Sequence, residues 1–192
     1  MKKKAKSTSI MYDIEGNIVE YHNLQDKGPW YQHGIEKENV FVSKFGEQLN
    51  IGINPEKEHN VYAPDLIQGT SIGDLKTVNT PFFAASLYKL DPQFTVTFNT
   101  TDRRDYKGKE LDIYFWVEWL PIRRVTTYED GREYVTRVNP MHGVWYIPFS
   151  QLDKILESAD IHEYKERVGD TNGNATHSYV LDLRNPAFQQ IL

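Results

Sequence analysis

Polar and apolar positions change period along this chain. From Gln93 to Asn99, Phe94, Val96 and Phe98 alternate with Gln93, Thr95 and Thr97, the pattern of a half-buried strand. Upstream, Phe41, Val42, Phe45 and Leu49 return at helical spacing, which predicts a helix from Glu36 to Leu49, with Gly28-Pro29-Trp30-Tyr31 breaking regular structure before it. Val61 to Ile67 and Ile72 to Thr80 read as two strands joined by Gln68-Gly69-Thr70-Ser71, the second stopped by Pro81. Leu111 to Leu120 is apolar nearly throughout and rich in aromatic residues, as suits a central strand covered on both faces. Hairpins are expected around Glu15-Gly16-Asn17, within Ile10 to Tyr21, and around Glu129-Asp130-Gly131-Arg132, between Val125 to Tyr128 and Glu133 to Val138. Val144 to Phe149 adds a strand, and Ser150 is placed to cap a helix over Gln151 to Ser158 with Leu152, Ile155 and Leu156 on one face. After the polar Gly169 to Asn174 loop come a strand from Ser178 to Leu183 and a short terminal helix opened by Pro186. The sum is a mixed α+β fold, a central mixed β-sheet flanked by helices with additional β-hairpins. No repeat or linker divides it, so residues 10–192 read as a single domain behind a flexible basic tail, residues 1–9.

Composition narrows the function classes. With 192 residues, 39% hydrophobic and 13% aromatic, the chain can bury one sizeable core, which argues against disorder. Its 22 basic and 27 acidic residues leave a net charge of -5, so a nucleic-acid or lipid partner would have to be met by a local basic surface or through metal ions. The absence of cysteine removes disulfides, thiolate zinc sites and a thiol nucleophile, leaving oxygen or imidazole to hold any metal. The six histidines show neither HxxxH nor HxH spacing, which argues against a histidine zinc site. Apolar runs fall far short of the roughly 20 residues of a membrane helix. Lys2, Lys3, Lys4 and Lys6 lead into Ser7, Thr8, Asp13 and Glu15 where a signal peptide would turn apolar. A soluble, cytoplasmic protein without a membrane partner is expected. No GxGxxG, GxxxxGK[ST] or GxSxG motif points to a dinucleotide enzyme, a nucleotide-driven motor or a serine hydrolase.

The chemistry concentrates in Pro64-Asp65 and Asp74-Leu75-Lys76. In a strand, Asp74 and Lys76 share one face while Leu75 takes the other, and a hairpin partner sets Asp65 beside Asp74. Two carboxylates held that close repel unless a cation lies between them, and hard oxygen ligands suit Mg2+ far better than Zn2+. Lys76 would then orient or deprotonate a water, or stabilise charge developing on a phosphate, the equipment of metal-assisted phosphodiester hydrolysis. Stepping about 100° per residue from Phe41 places Glu38 at about 60°, between Phe45 at about 40° and Leu49 at about 80°. An acidic group on that inward stripe is costly unless it is paired or metal-bound.

A helix with an inward glutamate, then Pro-Asp, then Asp-x-Lys on the next strand resembles the PD-(D/E)xK nuclease superfamily, the restriction-endonuclease-like fold, over roughly residues 34 to 120. The acid-x-Lys triplet alone is weak, since it also occurs at Asp105/Lys107 and Glu163/Lys165; Asp74/Lys76 has the Pro-Asp and the helix glutamate upstream. The resemblance implies a Mg2+-dependent nuclease, with Mn2+ as substitute, acting on DNA or, as in a few members, on RNA. It implies Asp65 and Asp74 as metal-binding carboxylates, Glu38 as an aid to the metal site and Lys76 as the catalytic lysine. Restriction, repair, recombination and phage enzymes all belong to the superfamily, and the individual family stays open. A cut through two strands needs two sites, which favours a homodimer. Arg103, Arg104, Lys107 and Lys109, expected in a loop beside the central strand, and Arg123 and Arg124 beyond its other end are candidates for nucleic-acid phosphate contacts. The rival class is a noncatalytic nucleic-acid- or protein-binding module, with Asp74 and Lys76 an exposed pair, Glu38 reaching the surface and no response to metal.

Overall fold

The apolar run around Phe115 is the spine of the molecule, and the other elements are arranged about it. The structure, a computed structural model, describes residues 7–19, 27–60, 63–164 and 177–192. In chain order the elements are β1 (Ser7–Tyr12), α1 (Lys27–Leu49), β2 (Gly52–Ile53), a 3-10 turn (Pro55–Glu58), β3 (Leu66–Gln68), β4 (Ser71–Val78), a second 3-10 turn (Phe83–Tyr88), β5 (Thr95–Asn99), α2 (Thr100–Tyr106) and β6 (Asp112–Trp119). They continue with β7 (Ile122–Tyr128), β8 (Glu133–Val138), β9 (Met141–Pro148), α3 (Phe149–Leu156), β10 (Ile161–Glu163), β11 (His177–Asp182) and β12 (Gln189–Gln190). A six-stranded sheet runs β12-β9-β6-β4-β3-β2, with β4 and β6 parallel and the other pairs antiparallel. Two three-stranded sheets, β1-β7-β8 and β10-β11-β5, accompany it. The fold is mixed α+β, as the patterning requires.

The period-two rule divides β6 between two apolar clusters. Tyr114 and Trp116 face α1, joining Phe41, Leu66, Leu75 and Val144 with Phe45 and Leu49 beside them. Ile113, Phe115 and Val117 face the opposite way, toward Val96 and Phe98 of β5, Leu181 of β11 and Leu152 and Leu156 of α3. The sheet is therefore covered on both faces, and Trp116 and Trp119 lie in different clusters, as their odd separation demands.

Several boundaries differ from the sequence expectation, each for a nonlocal reason. The helix begins at Lys27 and runs through Gly28–Tyr31, the expected break. Pro29 sits in its first turn, where the missing N–H and fixed φ cost nothing. Residues 7–9, assigned to the flexible tail, pair with Thr126–Tyr128, and β1 uses β7 as its partner rather than forming a full hairpin with the segment after it. A lone Tyr12–Ile18 bridge closes the turn at Gly16, whose φ is +89°. That pairing leaves Met11 1% exposed, burial a two-stranded ribbon would not supply. Leu66, rather than Val61, opens β3; residues 61–62 lie outside the described residues. The run Arg103 to Lys109 is mostly α2 instead of loop. Pro148, not Ser150, occupies the N-cap of α3, and turns leading to β12 replace the terminal helix expected after Pro186. The tail lysines and the Gly169 to Asn174 loop lie outside the described residues. No helix among the described residues is long and apolar enough to cross a membrane.

Candidate functional site

A two-residue turn, Gly69-Thr70 with Gly69 at φ +61°, closes β3 onto β4 and registers Leu66 with Gly73. One step beyond that pair stand Asp65 and Asp74. Asp65 carries the ladder past the end of β3, because its Oδ2 accepts the Leu75 N–H at 2.9 Å. Gly73 leaves room for the Tyr114 ring: a Cβ there would come within 2.7 Å of Tyr114 Cε2.

Strand parity then sends Asp74 and Lys76 away from α1 while Leu75 packs toward it. Asp74 is 5% exposed. Its Oδ1 accepts a hydrogen bond from the Tyr106 hydroxyl at 2.7 Å. Lys76 Nζ lies 2.7 Å from Asp74 Oδ2 and donates to Asp102 Oδ2 at 2.6 Å. Asp74 Oδ2 is thus held by the Lys76 ammonium, which acts on the carboxylate through both its charge and a hydrogen bond. The rings of Phe98 and Tyr106 enclose the ammonium at 5.6 and 5.5 Å.

On the α1 side, Glu38 does face inward, and its partner is a residue the sequence reading missed. Lys57 Nζ lies 2.5 Å from Glu38 Oε2 and also donates to Asp65 Oδ1. Lys57 is carried by the Pro55–Glu58 turn, which Asn54 secures. The Asn54 side chain accepts the Glu56 N–H at 3.1 Å and donates to the Pro64 carbonyl at 2.9 Å, while its own N–H donates to the Asp65 carbonyl at 2.9 Å. One buried asparagine thus ties the turn bearing Lys57 to the Pro-Asp segment. Asn54-Pro55, a cap residue followed by a proline at the first helical position, was the signal available for that turn. No comparable local signal marks Asp102 and Tyr106, which reach the site from α2.

Burial and charge oppose each other throughout this cluster. Burial raises the pKa of Asp65 above the usual carboxylate value, and the charge of Glu38 adds to the rise, against the lowering effect of the Lys57 hydrogen bond. Burial likewise raises Asp74, with the Lys76 charge pulling the other way and Asp65 adding to the rise. For Lys57, burial would lower the pKa, but the hydrogen bonds and charges of Asp65 and Glu38 outweigh it and the net shift is upward. Lys76 is held well above the usual lysine value, because Asp74, Tyr106 and Asp102 together overcome burial. Both lysines are ammonium ions at neutral pH.

The expected phosphate-contact residues separate into two groups. Arg103 is engaged internally, its Nε on Asp153 Oδ1 at 2.6 Å and its Nη1 on the Tyr179 hydroxyl at 3.0 Å and the Leu156 carbonyl at 3.3 Å. Arg124 lies over the Phe83 ring and donates to Ser9 Oγ at 3.0 Å, with its Nε buried. These two brace packed layers. Arg104, Lys107, Lys109 and Arg123 are exposed, Arg104 beside Asp105 and Arg123 over the Tyr12 ring at 5.0 Å.

The carboxylates of Glu38, Asp65 and Asp74 are hard oxygen donors of the type a divalent cation takes. Among the described residues, however, no three Asp, Glu or His side chains are spaced to hold a metal ion as the site stands. Lys57 occupies the gap between Glu38 and Asp65, and Lys76 the gap between Asp74 and Asp102. Comparisons with family models, curated proteins and solved structures give no match for this chain.

Proposed function

We propose that this chain is a cytoplasmic metal-dependent nuclease that hydrolyses phosphodiester bonds, in DNA before RNA, at the cluster of Asp65, Asp74, Lys76 and Glu38. The observation that carries the reading is the hairpin register, which sets Asp65 next to Asp74, with Lys76 paired to Asp74 and Glu38 joined to Asp65 through Lys57. The resemblance to the PD-(D/E)xK superfamily implies that these four residues act together. Mg2+, or Mn2+ in its place, would be held by Asp65 and Asp74 with Glu38 in support, and would supply a Lewis acid for a phosphoryl oxygen and a bound water of lowered pKa.

The chain's own groups have more specific tasks. Lys76, kept protonated by Asp74 and Asp102, serves as a fixed positive charge toward a phosphate that gains negative charge, rather than as a base. Asp102 and Tyr106 are positioning residues that aim the ammonium and the Asp74 carboxylate. Arg104, Lys107, Lys109 and Arg123 are available for backbone phosphates, and cleavage of both strands would take a homodimer. Neutralisation of the carboxylates by two lysines favours, as the second reading, a noncatalytic nucleic-acid- or protein-binding module.

Cleavage of supercoiled and linear DNA in Mg2+ by the parent, Asp74→Asn and Lys76→Met separates the two. Asp74→Asn keeps the shape of the side chain and should abolish cleavage with the circular dichroism spectrum unchanged. Lys76→Met should lower the rate by about a hundredfold or more. Cleavage by Asp74→Asn at the parental rate would refute the assignment.

A further inference from the structure

We infer that this chain forms a symmetric dimer through the free edge of β8, which pairs antiparallel with the same strand of a second copy about Val135. The inference goes beyond the nuclease reading and does not depend on it: it rests on the strand itself, whether or not the acidic cluster is a catalyst.

Position comes first. Among the described residues β8 ends the β1-β7-β8 sheet with no strand beyond it. The other sheet edges are short, taken or buried. β2, β12 and β10 have two or three residues, the Met11 carbonyl of β1 already accepts the Val19 N–H at 2.9 Å, and β5 is buried at Thr95, Val96 and Phe98. β8 runs six residues, with Tyr134 61% and Val135 40% exposed. An open edge of that length is a template for another strand. The alternation of ladder bonds shows which of its backbone groups are free. The Tyr128 N–H donates to the Arg132 carbonyl at 3.0 Å, so in the same register Thr126 and Tyr134, Arg124 and Thr136, and Ile122 and Val138 are the pairs that exchange bonds. The N–H and C=O groups of Glu133, Val135 and Arg137 therefore point away from β7, toward the open edge.

Charge then selects the partner. Glu133 and Arg137 lie two residues to either side of Val135, and both are exposed. In a two-fold antiparallel pairing about Val135, Glu133 of each copy stands opposite Arg137 of the other, and Val135 stands opposite itself. All three residues with outward-facing backbone groups then meet their like, and each pair exchanges two hydrogen bonds. A shift of two residues either way sets a charged residue against Val135 and leaves another beyond the end of the partner strand. Within one chain, Arg137 makes no ion pair among the described residues, and its direct cross-strand neighbour is Arg123, a like charge that costs stability. The second copy supplies the missing carboxylate. On the same face Ile10, Val125 and Val135 are aligned across the three strands, so the pairing joins two apolar rows between the two charge pairs. On the opposite face Tyr134 meets Thr136, an aromatic and β-branched pair. A foreign strand would need the same palindrome of charge, which a second copy carries by construction.

The test uses the full chain without metal or DNA. Sedimentation velocity over a concentration series should show the parent passing from the 22.4 kDa chain to a species of twice that mass. Val135→Pro removes an edge donor but no bond to β7, a change that an edge strand tolerates, and should give a monomer with the parental circular dichroism spectrum. Arg137→Glu or Glu133→Arg alone turns two attractive cross-strand pairs into two repulsive ones and should raise the dissociation constant about tenfold or more. Mixing those two variants in equal amounts brings opposite charges together at both positions and should restore the dimer, an outcome that requires Glu133 of one copy to face Arg137 of the other. A parent that stays monomeric at every concentration would overturn the inference, as would a dimer that all three substitutions leave unchanged. If Val135→Pro fails to fold, the charge reversals, made at exposed positions, decide alone. No readout here involves cleavage, so a dimer with an inert cluster supports the interface against the nuclease reading, and an active monomer overturns the interface and leaves that reading standing.

Discussion

Removing a single oxygen tests how the site is built. In Tyr106→Phe the ring remains, with its contacts to Phe149 at 5.8 Å and Phe98 at 6.3 Å, and the hydroxyl that donates to Asp74 Oδ1 at 2.7 Å is lost. The acceptor is a carboxylate only 5% exposed, so water cannot replace the donor. A hydrogen bond to a charged group contributes about 1.5–3 kcal/mol, and here the full loss falls on the folded state, about 2 kcal/mol. In a chain of this length that lowers the melting temperature by about 4–8 °C. Tyr146→Phe is the internal control. It removes a hydroxyl that donates to Asp112 Oδ1 at 2.9 Å, where both residues are half-buried, water can take over, and the loss should be nearer 1 kcal/mol. Urea unfolding followed by tryptophan fluorescence gives both values. A Tyr106→Phe cost below about 0.5 kcal/mol, or no larger than that of Tyr146→Phe, would refute the claim that this bond holds a buried charge.

Phe41→Ala should cost about 3–5 kcal/mol by calorimetry, because a fully buried ring packed on Phe45 and Trp116 would leave a cavity between α1 and the sheet, and a loss under about 1 kcal/mol would contradict that packing. Stability should also fall at alkaline pH. Lys57 and Lys76 have folded pKa values raised above the unfolded one, so their stabilisation is complete below about pH 10.4 and is lost as pH climbs through the higher folded values. Lys76→Met should flatten that decline, and parallel curves for the parent and the variant between pH 8 and 12 would count against it. Asp65 and Asp74 act with the opposite sign: their raised values make the folded state bind more protons, so they penalise stability as pH rises past about 3.9, and Asp65→Asn/Asp74→Asn should remove that slope from urea midpoints taken on the acid side.

The sequence by itself determined whatever depends on local period. Alternation placed Asp74 and Lys76 on one strand face and Leu75 on the other, separated Trp116 from Trp119, and turned Glu38 toward the interior, because side-chain direction follows from the helix or strand repeat alone. The short hairpin between Gln68 and Ser71 was legible from its turn residues, and with it the meeting of Asp65 and Asp74. Partners were not legible. Lys57 reaches Glu38 across 19 positions, Lys76 reaches Asp102 across 26, and Tyr106 reaches Asp74 across 32, distances over which no local rule selects one charged or polar residue from many. The same reason hid the pairing of β1 with β7, and the inward turn of Arg103 and Arg124 from a run that looks like surface charge. Tertiary packing decided which ammonium meets which carboxylate, because burial makes an unpaired charge so costly that each group entering the interior must find a partner there, wherever in the chain that partner lies.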